Sequence, residues 1–214
     1  MCHLQATRGT AITENPADRD ESRPRTSLLR LRLLYAAVAV AGVTLDVITK
    51  TMAVRWLDPG DPVQLLGGLL RLQLVRNPGA AFSLGENFTP VFAVLSACVL
   101  AVVVIFLARR VGHTGWAVAL GLVSAGVAGN LIDRIFREPG VLHGHVVDFL
   151  QLPYWPIFNV ADMCITGAAI LIIVLSVIKN IGLDGKRLAP TRRSGDDQAA
   201  RDAPREPGPA STER

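Results

Sequence analysis

Four stretches of mostly apolar side chains, residues 29–51, 91–108, 116–135 and 157–178, occupy much of this chain of 214 residues. Runs of about 18 or more such residues are long enough to cross the hydrocarbon of a bilayer as helices. A hydrophobic fraction of 50% agrees with that class, and the length leaves room for little besides the spans and two substantial loops. The expectation is a small polytopic membrane protein with one membrane domain, residues 29–180.

Basic residues flanking the spans give the orientation. Arg23, Arg25, Arg30 and Arg32 precede the first span, Arg109 and Arg110 join the second to the third, and Lys179, Lys186 and Arg187 follow the fourth. Both termini are therefore expected to be cytoplasmic. The opposing loops, 52–90 and 136–156, carry fewer basic residues for their length, although Arg55, Arg71, Arg76 and Arg137 soften the contrast. The first 27 residues lack the apolar run of a cleavable signal peptide, so the first span is expected to stay as an anchor. Residues 1–28 and 181–214, rich in charge and Pro, read as disordered cytoplasmic extensions. The net charge of +4 follows from the residues that insertion requires and gives no reason to expect nucleic acid as a partner.

Three polar clusters interrupt the apolar segments: Asp46 with Lys50, Asn130 with Asp133 and Arg134, and Asn159 with Asp162. Ionisable residues in membrane helices are costly and mark function by default. On the four-span topology all three converge on the outer face. A relay or channel would need polar residues spread through the membrane depth, and the cytoplasmic halves are almost bare of them. A site at one interface suits action on something presented at that surface.

Between the first two spans, residues 64–68 and 70–75 are compatible with strands, LRLQLV alternating apolar and polar residues before the turn-rich RNPGAAFSLGEN. A small strand pair on the outer surface is expected. Asn77 precedes Pro78 and is biased away from helix, and Gly79 allows positive φ or close backbone approach; a plain turn accounts for the same residues. Phe82 and Phe88 are placed to dip into the lipid interface.

Helical spacing adds detail. Asp46 and Lys50 lie four apart and pair on one face. Asn130, Asp133 and Arg134 share a face, where Arg134 is expected to pair an acid and bond backbone carbonyls. Ala125 and Gly129 let another helix approach closely, which places the third span centrally. Cys2, Cys98 and Cys164 form no CxxC pair or disulfide framework, and Cys164 reads as a thiol packed among apolar side chains.

Two carboxylates lack an obvious private cation. Asp148 lies in the short run HVVDFL before the fourth span. Asp162 follows about one and a half turns into that span, beside Asn159 and after a YWP turn able to fold the chain back. Two carboxylates facing each other at low dielectric do not both ionise easily and share a proton. One then activates water while the other protonates a leaving amine. Two interfacial caps or salt-bridge acids fit the same residues. A zinc site using His143, His145 and Asp148 is a third reading, without an HExxH helix to support it.

DVITK in the first span, NPGAAFSL in the outer loop, GNLIDR in the third span, VVDF in the second loop and FNVAD at the fourth span occur in this order between about residues 40 and 180. Together they resemble the lipoprotein signal peptidase, or signal peptidase II, family. The resemblance implies an intramembrane aspartic endopeptidase that removes the signal peptide from diacylglyceryl-modified prolipoproteins just before the lipidated cysteine. It needs no cofactor or metal and works as a monomer among membrane lipids in the bacterial cytoplasmic membrane. The fold it implies is all-α, with four transmembrane helices and a small extracytoplasmic β-containing cradle.

By motif match, Asp148 and Asp162 are the catalytic dyad. Asn77 and Gly79 line the substrate site. Asn130, Asp133, Arg134, Asn159 and Ala161 support the dyad and bind the peptide backbone, while Asp46 and Lys50 are a structural pair. Asp133 falls at a supporting position, where neighbouring Arg134 is expected to hold it ionised. The segment FREPGVLHGH is longer than in compact family members, so its geometry is open. A small non-enzymatic transporter subunit or membrane scaffold, using the polar clusters only for packing, is the alternative from another class.

Overall fold

Small residues bring the third span into the middle of the bundle. In the structure, a computed structural model that describes residues 25–79 and 89–187, helix α3 (Thr114–Phe136) packs against the other three helices, α1 (Arg25–Trp56), α2 (Thr89–Val102) and α4 (Val160–Ile173). A Cβ on Gly129 would sit 2.5 Å from Asp46 Oδ2 and 3.2 Å from Ala161 Cβ, so α1 and α4 both reach α3 only because that position has no side chain. Half of the most apolar stretch of α3 is buried, against 6–17% in the other three spans.

All four helices are long and apolar enough to cross a membrane: residues Ser27–Trp56, Thr89–Arg110, Thr114–Phe136 and Val160–Ile178. The second span passes through a π-helical turn, Val103–Leu107, before a last 3-10 turn, Ala108–Arg110, and the fourth closes on a π-helical turn, Val174–Ile178. Val40, Leu45, Val94, Leu95, Ile170 and Ile173 remain exposed on the bundle surface, as a lipid-facing exterior requires.

Two span boundaries differ from the sequence reading. Helix α1 runs on to Trp56, so Asp46 lies ten residues, about 15 Å of helix rise, from the end instead of close to it. Helix α4 begins at Val160 because Asn159 caps it; its side-chain oxygen accepts from the Asp162 N–H while the Asp162 carboxylate accepts from the Asn159 N–H. Asp162 is therefore in the first turn, and Ile157 and Phe158 belong to the preceding loop.

The expected strand pair forms as β1 (Val63–Leu65) and β2 (Leu70–Asn77), antiparallel with Val63 opposite Leu72. A third strand, β3 (Val146–Gln151), pairs antiparallel with β2, placing Asn77 opposite Val146 and Val75 opposite Asp148. The sheet order is β1-β2-β3. The segment around Asp148, in sequence only a short apolar run, is a strand buried on both faces, where alternation gives no signal. Val147 and Phe149 pack with Ala53 and Leu74, while Val146 and Asp148 point to the other face.

A second apolar cluster, Val103, Val111, Ala117 and Leu120, lies at the terminal end of the bundle, where α1 begins. Residues 181–187, expected to begin a disordered tail, dock there. Trp116 Nε1 donates to the Ile181 carbonyl at 3.0 Å, and the Gly112 N–H donates to Leu183 at 3.0 Å. Expectations for residues 1–24, for Phe82 and Phe88, and for 188–214 lie outside the described residues.

Candidate active site

Every site residue foreseen in the sequence gathers at the sheet end of the bundle, on α1, β2, β3, α3 and α4 or beside them. Asp148 comes from β3 and is 4% exposed. Asn77, at the end of β2, donates through Nδ2 to Asp148 Oδ2 at 2.9 Å, and Asn159 donates to Asp148 Oδ1 at 2.6 Å. Asp162 receives the Asn130 amide on Oδ1 at 3.0 Å and the Asn159 N–H on Oδ2 at 3.1 Å. Each carboxylate thus has one donor on each oxygen, and Asn159 touches both acids.

The three asparagines cannot turn their amides around without loss, because each oxygen faces an obligate donor. Lys50 Nζ lies 2.9 Å from Asn130 Oδ1, the Asp162 N–H lies 3.0 Å from Asn159 Oδ1, and the Gly79 N–H lies 2.9 Å from Asn77 Oδ1. The NH₂ groups are left aimed at the acids. Gly79 adopts φ +115°, and a Cβ there would come 2.7 Å from the Phe92 ring. Both features of the NPG segment, positive φ and close approach, call for glycine.

Burial pushes Asp148 up from the usual 3.8 to about 6; the charge of Asp162 adds to this, and the amides of Asn77 and Asn159 together with Lys50 oppose it. Neither Asp148 nor Asp162 has an ion-pair partner among the described residues. A buried carboxyl that titrates near neutrality beside a second carboxylate is suited to proton transfer.

Around the acids runs a buried charged network. Lys50, fully buried, lies 2.8 Å from Asp46 and 2.9 Å from Asp133. Asp46 also accepts the Ala161 N–H at 2.8 Å, tying α1 to the start of α4. The expected pairing of Asp133 with Arg134 does not form. Adjacent helical residues point apart, and the guanidinium that reaches Asp133 is that of Arg137, one turn on. Arg134 instead donates to the Asn130 carbonyl at 3.2 Å. Asp133 Oδ2 also accepts the Val147 N–H of β3 at 3.2 Å.

Sequence reasoning missed Arg137 and the hub role of Lys50. The Asp133–Arg137 spacing of four was available as a signal, whereas the contacts of Lys50 with α3 were not. His143 Nδ1 faces the Val141 carbonyl at 3.0 Å, and no group of three potential metal ligands occurs among the described residues. Cys164 is half-buried and Cys98 exposed; neither enters the network.

Comparison with known proteins gives a consistent result. A sequence model of signal peptidase (SPase) II matches residues 38–178. The lipoprotein signal peptidase of Mycolicibacterium smegmatis is 44% identical over 186 residues, covering 87% of this chain and 76% of that protein. Its counterpart in Rhodococcus jostii is 44% identical over 179 residues, with 83% and 89% covered. A solved structure of a bacterial membrane enzyme superposes with a TM-score of 0.58 at 30% identity, covering 71% of this chain and 92% of that one.

Proposed function

The chain belongs to the signal peptidase II family, and from that premise we propose that it is an intramembrane aspartic endopeptidase that removes the signal peptide from diacylglyceryl-modified prolipoproteins, cutting just before the lipidated cysteine. Membership of a peptidase family leaves the transporter or scaffold reading without support. The observation that carries the aspartic mechanism is the arrangement of Asp148 and Asp162. They come from different elements, each has both oxygens held by amide donors, and Asn159 joins them.

In this mechanism the ionised carboxylate takes a proton from water as its oxygen attacks the scissile carbonyl, and the protonated one donates to the departing amine as the C–N bond breaks. No covalent intermediate forms and no cofactor takes part. Lys50, Asn130 and Asn159 hold the acids in place, Asn77 and Gly79 border the substrate, and Arg134 faces the peptide backbone, while the fully buried Ala161 supports the site by tying the start of α4 to Asp46. One chain supplies every residue of this arrangement, in keeping with a monomer surrounded by lipid as the proposed working unit.

The proposed orientation puts both termini in the cytoplasm and the acids near the outer face of a bacterial cytoplasmic membrane. Arg30, Arg32, Arg109, Arg110, Lys179, Lys186 and Arg187 flank the terminal end of the spans. At the sheet end, Arg137 is neutralised by Asp133 and Arg76 lies 3.6 Å from Glu138, which sharpens the contrast in basic charge.

The test is cleavage of a diacylglyceryl-modified prolipoprotein by the purified chain with EDTA present, wild type beside Asp148→Asn and Asp162→Asn. Cleavage by wild type alone is expected. Near-normal cleavage by either folded variant would overturn the dyad, and an inactive folded wild type would overturn the reading as a whole.

A further inference from the structure

Strand β3 lies at the edge of the sheet, so the N–H groups on its outer side need partners other than a neighbouring strand. Two such pins flank Asp148. After it, the Phe149 and Leu150 N–H groups donate to the Phe158 carbonyl at 3.1 and 2.9 Å. Before it, the buried Val147 N–H donates to Asp133 Oδ2 at 3.2 Å. That second pin is a side chain, and its hold depends on what fixes the carboxylate.

Asp133 is 2% exposed, and its two oxygens are divided. Oδ2 meets Val147 and the Lys50 ammonium, and Oδ1 meets Arg137 Nε. Lys50 is shared with Asp46, so two buried carboxylates face two cations only when Arg137 is counted. Without it one ammonium would serve both, and Asp133 Oδ1 would lose its partner, leaving the carboxylate held by Oδ2 alone.

The chain from Arg137 to β3 folds back onto the same helix end. The Gly144 N–H donates to the Arg134 carbonyl at 3.1 Å and the His145 N–H to Glu138 at 3.0 Å. A Cβ on Gly144 would come 2.2 Å from the Asp133 carbonyl oxygen, so nothing larger fits. Arg137 therefore stands where the last turn of α3, the returning loop and the edge of β3 meet.

Resting on the peptidase reading, we infer that Arg137 is a positioning residue: through Asp133 it fixes β3 at Val147 and so sets Asp148 between the amides of Asn77 and Asn159. It touches neither acid. Its effect on turnover passes through the placement of the strand.

The experiment compares Arg137→Gln, Arg137→Lys and, as a control, Glu138→Gln, whose side chain is exposed, in the purified full chain in detergent. Arg137→Gln is expected to raise amide hydrogen exchange in residues 146–151 about tenfold. It is also expected to lower kcat on a diacylglyceryl-modified prolipoprotein about tenfold, with KM within about twofold of wild type. Arg137→Lys, which keeps the charge without the planar fork, falls between, and Glu138→Gln matches wild type.

Unchanged exchange in Arg137→Gln overturns the inference whatever the activity, and so does an unchanged kcat in an active enzyme. If Arg137→Gln is not recovered folded, Arg137→Lys is read in the same two assays, and wild-type values in both overturn it. A wild type that cleaves nothing counts against the peptidase reading, while the exchange measurement still decides the role of Arg137 in holding β3.

Discussion

At the sheet end of the bundle the buried residues include Asp46, Lys50, Asp133, Asp148 and Asn159, each held by hydrogen bonds or ion pairs. At the terminal end, where α1 begins, they include Val103, Val111, Ala117 and Leu120, with Leu31, Leu34 and Leu183 packed around them. Burying charge is costly unless every group is paired, whereas apolar packing tolerates substitutions of similar volume. The same four helices therefore have one end where single polar atoms matter and one where shape and volume suffice.

The sharpest way to break this comparison is at the two acids. Asp148→Asn and Asp162→Asn are each expected to lower cleavage by about 10²- to 10⁴-fold, the range for lost acid–base catalysis, with the chain still folded and inserted. Next comes Lys50→Met, which leaves Asp46 and Asp133 facing each other's charge without the ammonium between them. Breaking a buried pair this way costs about 3–5 kcal/mol, read as a drop in thermal unfolding temperature in detergent. A loss within the scatter of surface substitutions, about 0.5 kcal/mol, would show that the network is not what holds this end together.

A third effect is on pH dependence. Burial holds the Asp148 proton up to about pH 6, above the ordinary carboxyl range. The acids then pass from singly to doubly ionised as pH rises through that value, with the apparent midpoint belonging to the pair. The singly protonated form is the reactive one, so kcat/KM is expected to have fallen to about half its plateau near pH 6 and to fall by about tenfold per unit well above it. A level profile from about pH 5 to 8 would separate Asp148 from the chemistry. The smallest effect is expected at the terminal end. Trp116→Phe removes the bond to the Ile181 carbonyl, costing about 0.5–1.5 kcal/mol and leaving cleavage unchanged.

The two ends also differ in how readily they could be read before the fold was known. The spans were visible because about 18 consecutive apolar residues have few alternatives. The Asp46–Lys50 pair followed from a spacing of four, and β2 from alternation along LRLQLV. The strand around Asp148 escaped because it is buried on both faces and shows no period of two. Adjacency in the chain points to Arg134 as the partner of Asp133, although it is Arg137, four residues on, that shares its helix face.

The chain by itself determined that four helices form, that small residues on the third let its neighbours close in, and which polar residues stand at one end. These are properties of local composition and spacing, and they follow from the cost of exposing backbone and charge to hydrocarbon. The tertiary structure alone decided that Lys50 orients Asn130, that Asn159 reaches across to Asn130, and that Asp133 pins β3. Which way a side-chain amide points, and whose charge a carboxylate meets, depends on donors brought in from 29 to 83 positions away along the chain in the contacts of Lys50 and Asn159 with α3, and no window of sequence contains them.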